Sequence, residues 1–173
     1  HASDPVVMSR TVKMAAESGV AAGAHPGYQD LVGFGRRNMK VAPAEVTDIV
    51  MYQIGALEAF CRANGIAMQH VKPHGAMYNM AEKDDKLAEA ICRGIKAVNP
   101  DLILLGPGSG KMVKAAKALG LKTAGEVFAD RAYMEDGTLV PRSQEGAMIT
   151  DEEEAVARVL EMVQKGTVTA ITG

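Results

Sequence analysis

The residues best suited to chemistry fall in three short polar segments, each placed directly after a short apolar run. They are His25-Pro26-Gly27, Lys72-Pro73-His74-Gly75, and Glu126 followed by Asp130-Arg131. Imidazole changes protonation near neutral pH, so His25 and His74 suit general acid–base work or metal binding. Lys72 can stabilise charge as it develops, and Glu126 or Asp130 can orient water, a metal or Arg131. Pro26 and Pro73 stiffen the turns, while Gly27 and Gly75 permit close backbone approach. One histidine at such a position is more often structural; three polar segments of this kind point to a shared site.

The loop after His25 adds Tyr28, Asp30 and Gly33-Phe34-Gly35-Arg36-Arg37. Adjacent arginines among glycines suit a mobile lid that grips carboxylate or phosphate, since guanidinium binds both bidentately. The plainer alternative is a solvated basic loop. Arg142 offers a further anion contact. His1 and Asp4 form His-x-x-Asp, where Asp4 also suits a helix cap, and His70 reads as a supporting or structural residue. Gly106-Pro107-Gly108-Ser109-Gly110-Lys111 resembles a phosphate loop but is one residue short, with Met112 where Ser or Thr is required. A turn that brings backbone N–H groups near an anion is the reading it supports. No His-Glu-x-x-His or Cys-x-x-Cys spacing occurs, so any metal would need ligands gathered across strands, for example His1, His25 or His74 with an acid.

The elements that must position these groups alternate. Apolar runs at 20–24, 67–72, 101–105, 123–127 and 167–172 read as strands. Helical spacing links them. Asp4-Pro5 opens a helix that Gly19 closes, and Pro43-Ala44-Glu45 opens another that ends at Asn64-Gly65. Leu87, Ile91, Ile95 and Val98 mark a third helix, and 111–119 a fourth. The last, 151–164, is expected to turn Val156, Val159, Leu160 and Val163 inward. Strand–helix alternation implies parallel strands joined by right-handed crossovers, in an open sheet or a barrel. In either case the C-terminal strand ends share one face, so His25, Lys72, His74 and Glu126 are expected to converge. One domain over 1–173 is expected.

Composition narrows the class. Of 173 residues 47% are hydrophobic but only 4% aromatic, with no Trp and 11 Met, so the core must rest on aliphatic and Met packing. A net charge of -2 without a basic, aromatic-interleaved stripe argues against nucleic acid and anionic membranes as partners. No apolar run is long enough to cross a bilayer. Cys61 and Cys92 lie in helical patterns and are expected to be buried free thiols of a reducing compartment. The chain opens without Met, as an internal start would.

Several longer stretches match a known family. Gly23-Ala24-His25-Pro26-Gly27-Tyr28, Asp30 and Gly33-Phe34-Gly35-Arg36-Arg37 resemble the LamB/YcsF family. So do Tyr52-Gln53-Ile54-Gly55-Ala56-Leu57, Val71 to Asn79 (Val-Lys-Pro-His-Gly-Ala-Met-Tyr-Asn), Glu126 to Tyr133 and Leu139-Val140-Pro141-Arg142. The opening His1-Ala2-Ser3-Asp4-Pro5 is similar to the second half of a family segment. The family's first strand, with an Asn-x-Asp-x-Gly-Glu motif, and its closing strand are expected to lie outside this sequence.

The resemblance implies a distorted seven-stranded (β/α) barrel of the glycoside hydrolase/deacetylase type, incomplete here. It also implies ATP-dependent hydrolysis of the 5-oxoproline lactam to glutamate in the cytoplasm, with Mg accompanying ATP and with partner subunits B and C. In that scheme, by strand-end position and residue type, His74, Lys72, Glu126 and Asp130 are the expected catalytic residues. His25, Tyr28, Arg36, Arg37, Arg131 and Asn79 are the expected substrate or phosphate binders. An incomplete barrel exposes sheet edges, so a homo-oligomer is a further expectation. Two rivals stay open: a metal-dependent amide or acetyl hydrolase of the deacetylase type, and a binding subunit without catalysis of its own.

Overall fold

The computed structural model describes residues 4–108 and 110–173; His1 and Ser109, both named above, lie outside the described residues. Asp4 starts α1 (Pro5–Glu17), its carboxylate accepting from the Val6 and Val7 amides at 3.0 and 2.9 Å. β1 (Ala22–Ala24) follows, and then a turn-rich loop leads to α2 (Pro43–Ala63). α2 carries Pro at its start and buries Val46, Ile49, Val50, Ile54 and Cys61 along one stripe. β2 (Met68–Val71) runs into a short helix, α3 (Gly75–Ala81), which the sequence pattern does not announce. α4 (Asp85–Val98), capped by Asp84, then leads to β3 (Ile103–Pro107), α5 (Lys111–Ala118) and β4 (Lys122–Glu126).

The sheet order is β1-β2-β3-β4, each strand lying beside its successor. β1 pairs in parallel with β2 (Gly23 with His70, Ala24 with Val71), and β2 in parallel with β3 (His70 with Ile103, Val71 with Leu104). The expected parallel α/β architecture is therefore present, with strand ends within two residues of those read in the sequence. The first unit of the chain, through Gly125, holds one core. Within it, Val71 and Leu104 of the sheet are fully buried together with Ile54, Met77, Ile91, Ile95 and Met112 of the helices. Both cysteines are buried free thiols, as expected, and burial pushes the Cys92 thiol up to about 12.

The chain divides into two compact units, with Glu126–Gly173 as the second. Its irregular stretch from 127 to 151 builds a small core of its own from Ala132, Val140 and Ala147. Antiparallel bridges tie Arg131 to Met148 and Tyr133 to Leu139. The expected strand at 167–172 is reduced to one bridge, Ala170 to Tyr133. α6 (Glu152–Lys165) forms where expected and ends on left-handed Gly166, φ 67°. Its apolar stripe does not turn inward: Met162 is buried, whereas Val156, Leu160 and Val163 are exposed. Periodicity identifies a helix and its apolar face but carries no information about what covers that face. Among the described residues no helix is long and apolar enough to cross a membrane.

α2 and α4 touch through backbone. A methyl group at Gly94 would lie 2.9 Å from the Thr47 carbonyl oxygen and 3.0 Å from Val50 Cβ. Thr47 Oγ1 also donates to the Ala90 carbonyl at 3.0 Å. Gly94→Ala gains about 1 kcal/mol of helix propensity but overpacks this contact by about 1–3 kcal/mol. A net loss of stability, read as a lower urea midpoint with an unchanged slope, is the expected result.

Candidate functional site

The β1–β2 pairing continues past the strands. Lys72 N–H donates to the Ala24 carbonyl at 2.9 Å, and His74 N–H to the Pro26 carbonyl at 2.8 Å. The two exit turns therefore travel together and place their imidazoles side by side. His74 Nδ1 lies 3.0 Å from His25 Nε2, with the rings edge-to-face and their centroids 4.9 Å apart. The outer nitrogens meet main chain: His25 Nδ1 is 2.6 Å from the Lys72 carbonyl, and His74 Nε2 is 2.8 Å from the Phe34 carbonyl. His74 is buried and His25 half-buried. Desolvation, reinforced by the charges of His74 and Lys72, lowers the His25 pKa to about 4, against a smaller opposing effect of the Lys72 carbonyl.

Gln53 of α2 clamps the first turn from the side. Its Oε1 accepts from Gly27 N–H at 3.1 Å, and its Nε2 donates to the Gly27 carbonyl at 2.8 Å. The sequence marks Gln53 only as part of a family motif; nothing in its type or spacing reveals this role. Close approach is built into the glycines. A methyl at Gly75 (φ 54°) would lie 2.6 Å from the Gly35 carbonyl oxygen, and one at Gly35 (φ 67°) would lie 3.0 Å from His74 Cδ2.

The loop over the pair is organised by Asp30. Its buried carboxylate accepts from Gly33 N–H at 2.9 Å and from Arg37 Nε at 3.1 and 3.0 Å, with Arg37 Nη2 as a further partner. The Arg37 hydrogen bonds hold the Asp30 pKa down to about 2. Gly35 N–H closes the turn on the Asp30 carbonyl at 2.9 Å, and the Gly35 carbonyl in turn accepts from Ala76 N–H at 2.9 Å. Phe34 sits between them at φ 56°, the one non-glycine with positive φ among the described residues. In place of a free arginine pair, the loop has one arginine bound to an internal carboxylate and one exposed. The Arg36 guanidinium stands 5.6 Å from the Phe34 ring centroid.

The other expected residues are distributed as follows. Lys72 is half-buried with Nζ 5.9 Å from the Tyr78 ring centroid. Tyr28 is buried and turns its hydroxyl to Met80 Sδ at 3.7 Å, and burial raises its pKa. Asn79 is exposed on α3. His70 lies over Gly23, where any side chain would collide with its ring, and it contacts Gln69 Oε1 at 3.2 Å, a structural position. Glu126, Asp130 and Arg131 belong to the second unit. There Arg131 is buried and donates from Nη2 to the Val140 carbonyl at 2.6 Å, so its guanidinium helps hold that unit's small core. Asp130 is exposed and Glu126 half-buried.

The glycine-rich turn before α5 does place amides near an anion, and the anion is internal. Glu82 accepts from Lys111 N–H at 2.8 Å and Met112 N–H at 3.3 Å. Burial raises the Glu82 pKa, while those amides pull it back. Among the described residues no group of three or more His, Cys, Asp or Glu is arranged to hold a metal. All four ring nitrogens of the His25–His74 pair face hydrogen-bond partners.

The LamB/YcsF family profile matches residues 1–173. A Clostridium beijerinckii protein, named as the A subunit of 5-oxoprolinase, is 65% identical over 173 residues, covering 100% of this chain and 68% of that protein. A Bacillus subtilis protein of the same name is 56% identical over 173 residues, 67% of its length. The crystal structure of a lactam utilization protein from Thermus thermophilus superposes with a TM-score of 0.91 at 47% identity, covering 98% of this chain and 69% of that one.

Two outcomes are expected from this geometry. Gln53→Leu removes both hydrogen bonds to Gly27 and lowers unfolding free energy by about 1–3 kcal/mol, measured by urea titration. The His25 pKa falls from 6.5 to about 4 on folding, so the unfolded chain binds the extra proton between those values. The stability linked to His25 is complete above pH 6.5 and is lost as pH drops toward about 4; unfolding curves across that window should show it, and His25→Gln should flatten it.

Proposed function

Because the chain belongs to the LamB/YcsF family, we propose that it works as the A subunit of a 5-oxoprolinase, opening the 5-oxoproline lactam to glutamate with ATP and partner subunits B and C. The observation that carries the proposal is similarity along the whole chain to proteins of that name, joined to a buried imidazole held at a strand end.

A five-membered lactam is a stable amide. Transfer of a phosphoryl group to its carbonyl oxygen makes the carbonyl carbon electrophilic; water adds there, the C–N bond breaks, and the ring nitrogen takes a proton. His74 is the acid–base group in this scheme, placed by the His74–Pro26 main-chain bond and the Phe34 carbonyl. Lys72 and exposed Arg36 offset the negative charge of phosphate or of the substrate carboxylate. Arg37, bound to Asp30, contributes by bracing the loop rather than by gripping an anion. ATP, with its Mg, is not assigned to the start of α5, where Glu82 takes the Lys111 and Met112 amides. An ATP-coupled reaction of this kind belongs in the cytoplasm.

The test uses the complete A subunit reconstituted with its partners. His74→Ala is expected to lower lactam-dependent ATP hydrolysis by about 10²–10⁴-fold. An unchanged rate would remove His74 from the mechanism. Activity that needs a stoichiometric transition metal and ignores ATP would replace the proposal with the deacetylase-type alternative.

A further inference from the structure

The four ring nitrogens of His25 and His74 stand in a row between two main-chain carbonyls, those of Lys72 and Phe34. A carbonyl oxygen only accepts, so both outer nitrogens, His25 Nδ1 and His74 Nε2, must carry hydrogen. The inner contact of 3.0 Å between His25 Nε2 and His74 Nδ1 needs one hydrogen more. Two neutral imidazoles hold two hydrogens; this row holds three.

We infer that His25 and His74 form a single-proton acid of net charge +1, in which His25 is the positioning residue that keeps His74 as the imidazolium. His25 accepts from His74 Nδ1, and the low proton affinity that burial gives His25 leaves the third hydrogen on His74. The nearby cations oppose positive charge on the pair, and a second such charge most of all. Lys72 acts electrostatically on His25, and the Arg36 side chain lies beside Gly75 and Phe34. The nearby carboxylate of Asp30 is committed to Arg37.

Of the three hydrogens, the one on His74 Nε2 is the one to be given away. The Lys72 carbonyl belongs to a segment held by the extended β1–β2 pairing, whereas the Phe34 carbonyl belongs to an exposed loop residue at φ 56°. Transfer of the Nε2 hydrogen to the departing lactam nitrogen leaves His74 neutral, its remaining hydrogen still donated from Nδ1 to His25. The nitrogen lone pair forms the new N–H bond, and solvent later restores the proton to Nε2. A bare Nε2 facing the Phe34 carbonyl is repulsive, which favours prompt return.

This inference rests on His74 as the catalytic acid, but its first test does not. Nitrogen-15 NMR of the histidine rings in the full-length protein at neutral pH should show one ring protonated at both nitrogens and the other at Nδ1 alone. Two singly protonated rings would overturn the shared-proton pair. The second test separates position from bulk in the reconstituted enzyme. His25→Gln keeps an acceptor facing His74 Nδ1 and should lose clearly less kcat than the apolar variant that follows. His25→Leu removes the acceptor and should lower kcat by about 10–100-fold with little change in KM and a displaced profile. Equal loss in both variants would overturn the positioning role, and the NMR count needs neither variant to fold. If the count holds while His74→Ala remains fully active, the pair stands and only its catalytic use fails.

Discussion

Two main-chain hydrogen bonds, Lys72 to Ala24 and His74 to Pro26, extend a parallel ladder beyond its last regular residues, and the site depends on them. Parallel strands normally diverge at their C-terminal ends, where each chain turns toward its own helix. Here Pro26 and Pro73 favour extended backbone in the residues that precede them, His25 and Lys72, so the turns stay paired for two further residues. That extension brings together two rings whose sequence positions lie 49 residues apart. The ring contact, the loop seated on it and the start of α3 all follow from the same continued pairing.

The rest of the first unit acts to keep that juncture closed. Gln53 holds Gly27 from α2, the Gly35 carbonyl receives the Ala76 amide from α3, and Asp30 folds the intervening loop on itself. Each contact is an ordinary hydrogen bond of about 1 kcal/mol net. Together they brace the two turns and the loop whose carbonyls the histidine nitrogens face. Glycine at 35 and 75 is required for the same reason, since a side chain at either place would force the loop and the ring apart.

Much of this is legible in the sequence, for physical reasons that can be named. Alternating apolar runs and amphipathic stretches predict the parallel sheet, because burial imposes period on side chains. Asp4 as a cap and the two buried thiols follow from local chemistry alone. His25 and His74 stand out because imidazole next to proline, with glycine close by, is an unusual thing to place at a strand end. What cannot be read is whatever resides in backbone atoms or in long-range pairing. The Phe34 carbonyl has no sequence signature, and Gln53 lies among polar positions of an amphipathic helix. Arg37 reads as available because nothing in the order of residues identifies Asp30 as its partner. The apolar stripe of α6 and the terminal apolar run mislead in the opposite sense, since hydrophobicity there leads to neither inward burial nor a full strand.

Glu82, which reaches the start of α5, carries a consequence for any phosphate that would use the same amides. Its carboxylate is part of the chain, so it competes as a tethered ligand, whose effective concentration is on the order of millimolar or higher. A phosphate in solution would have to displace it at every encounter, and would leave a half-buried carboxylate to be rehydrated elsewhere. At the start of α5, two of the amides that a nucleotide would seek are already taken. The protein has taken the anion-binding property of a helix start and used it to fasten the end of α3 to the beginning of α5.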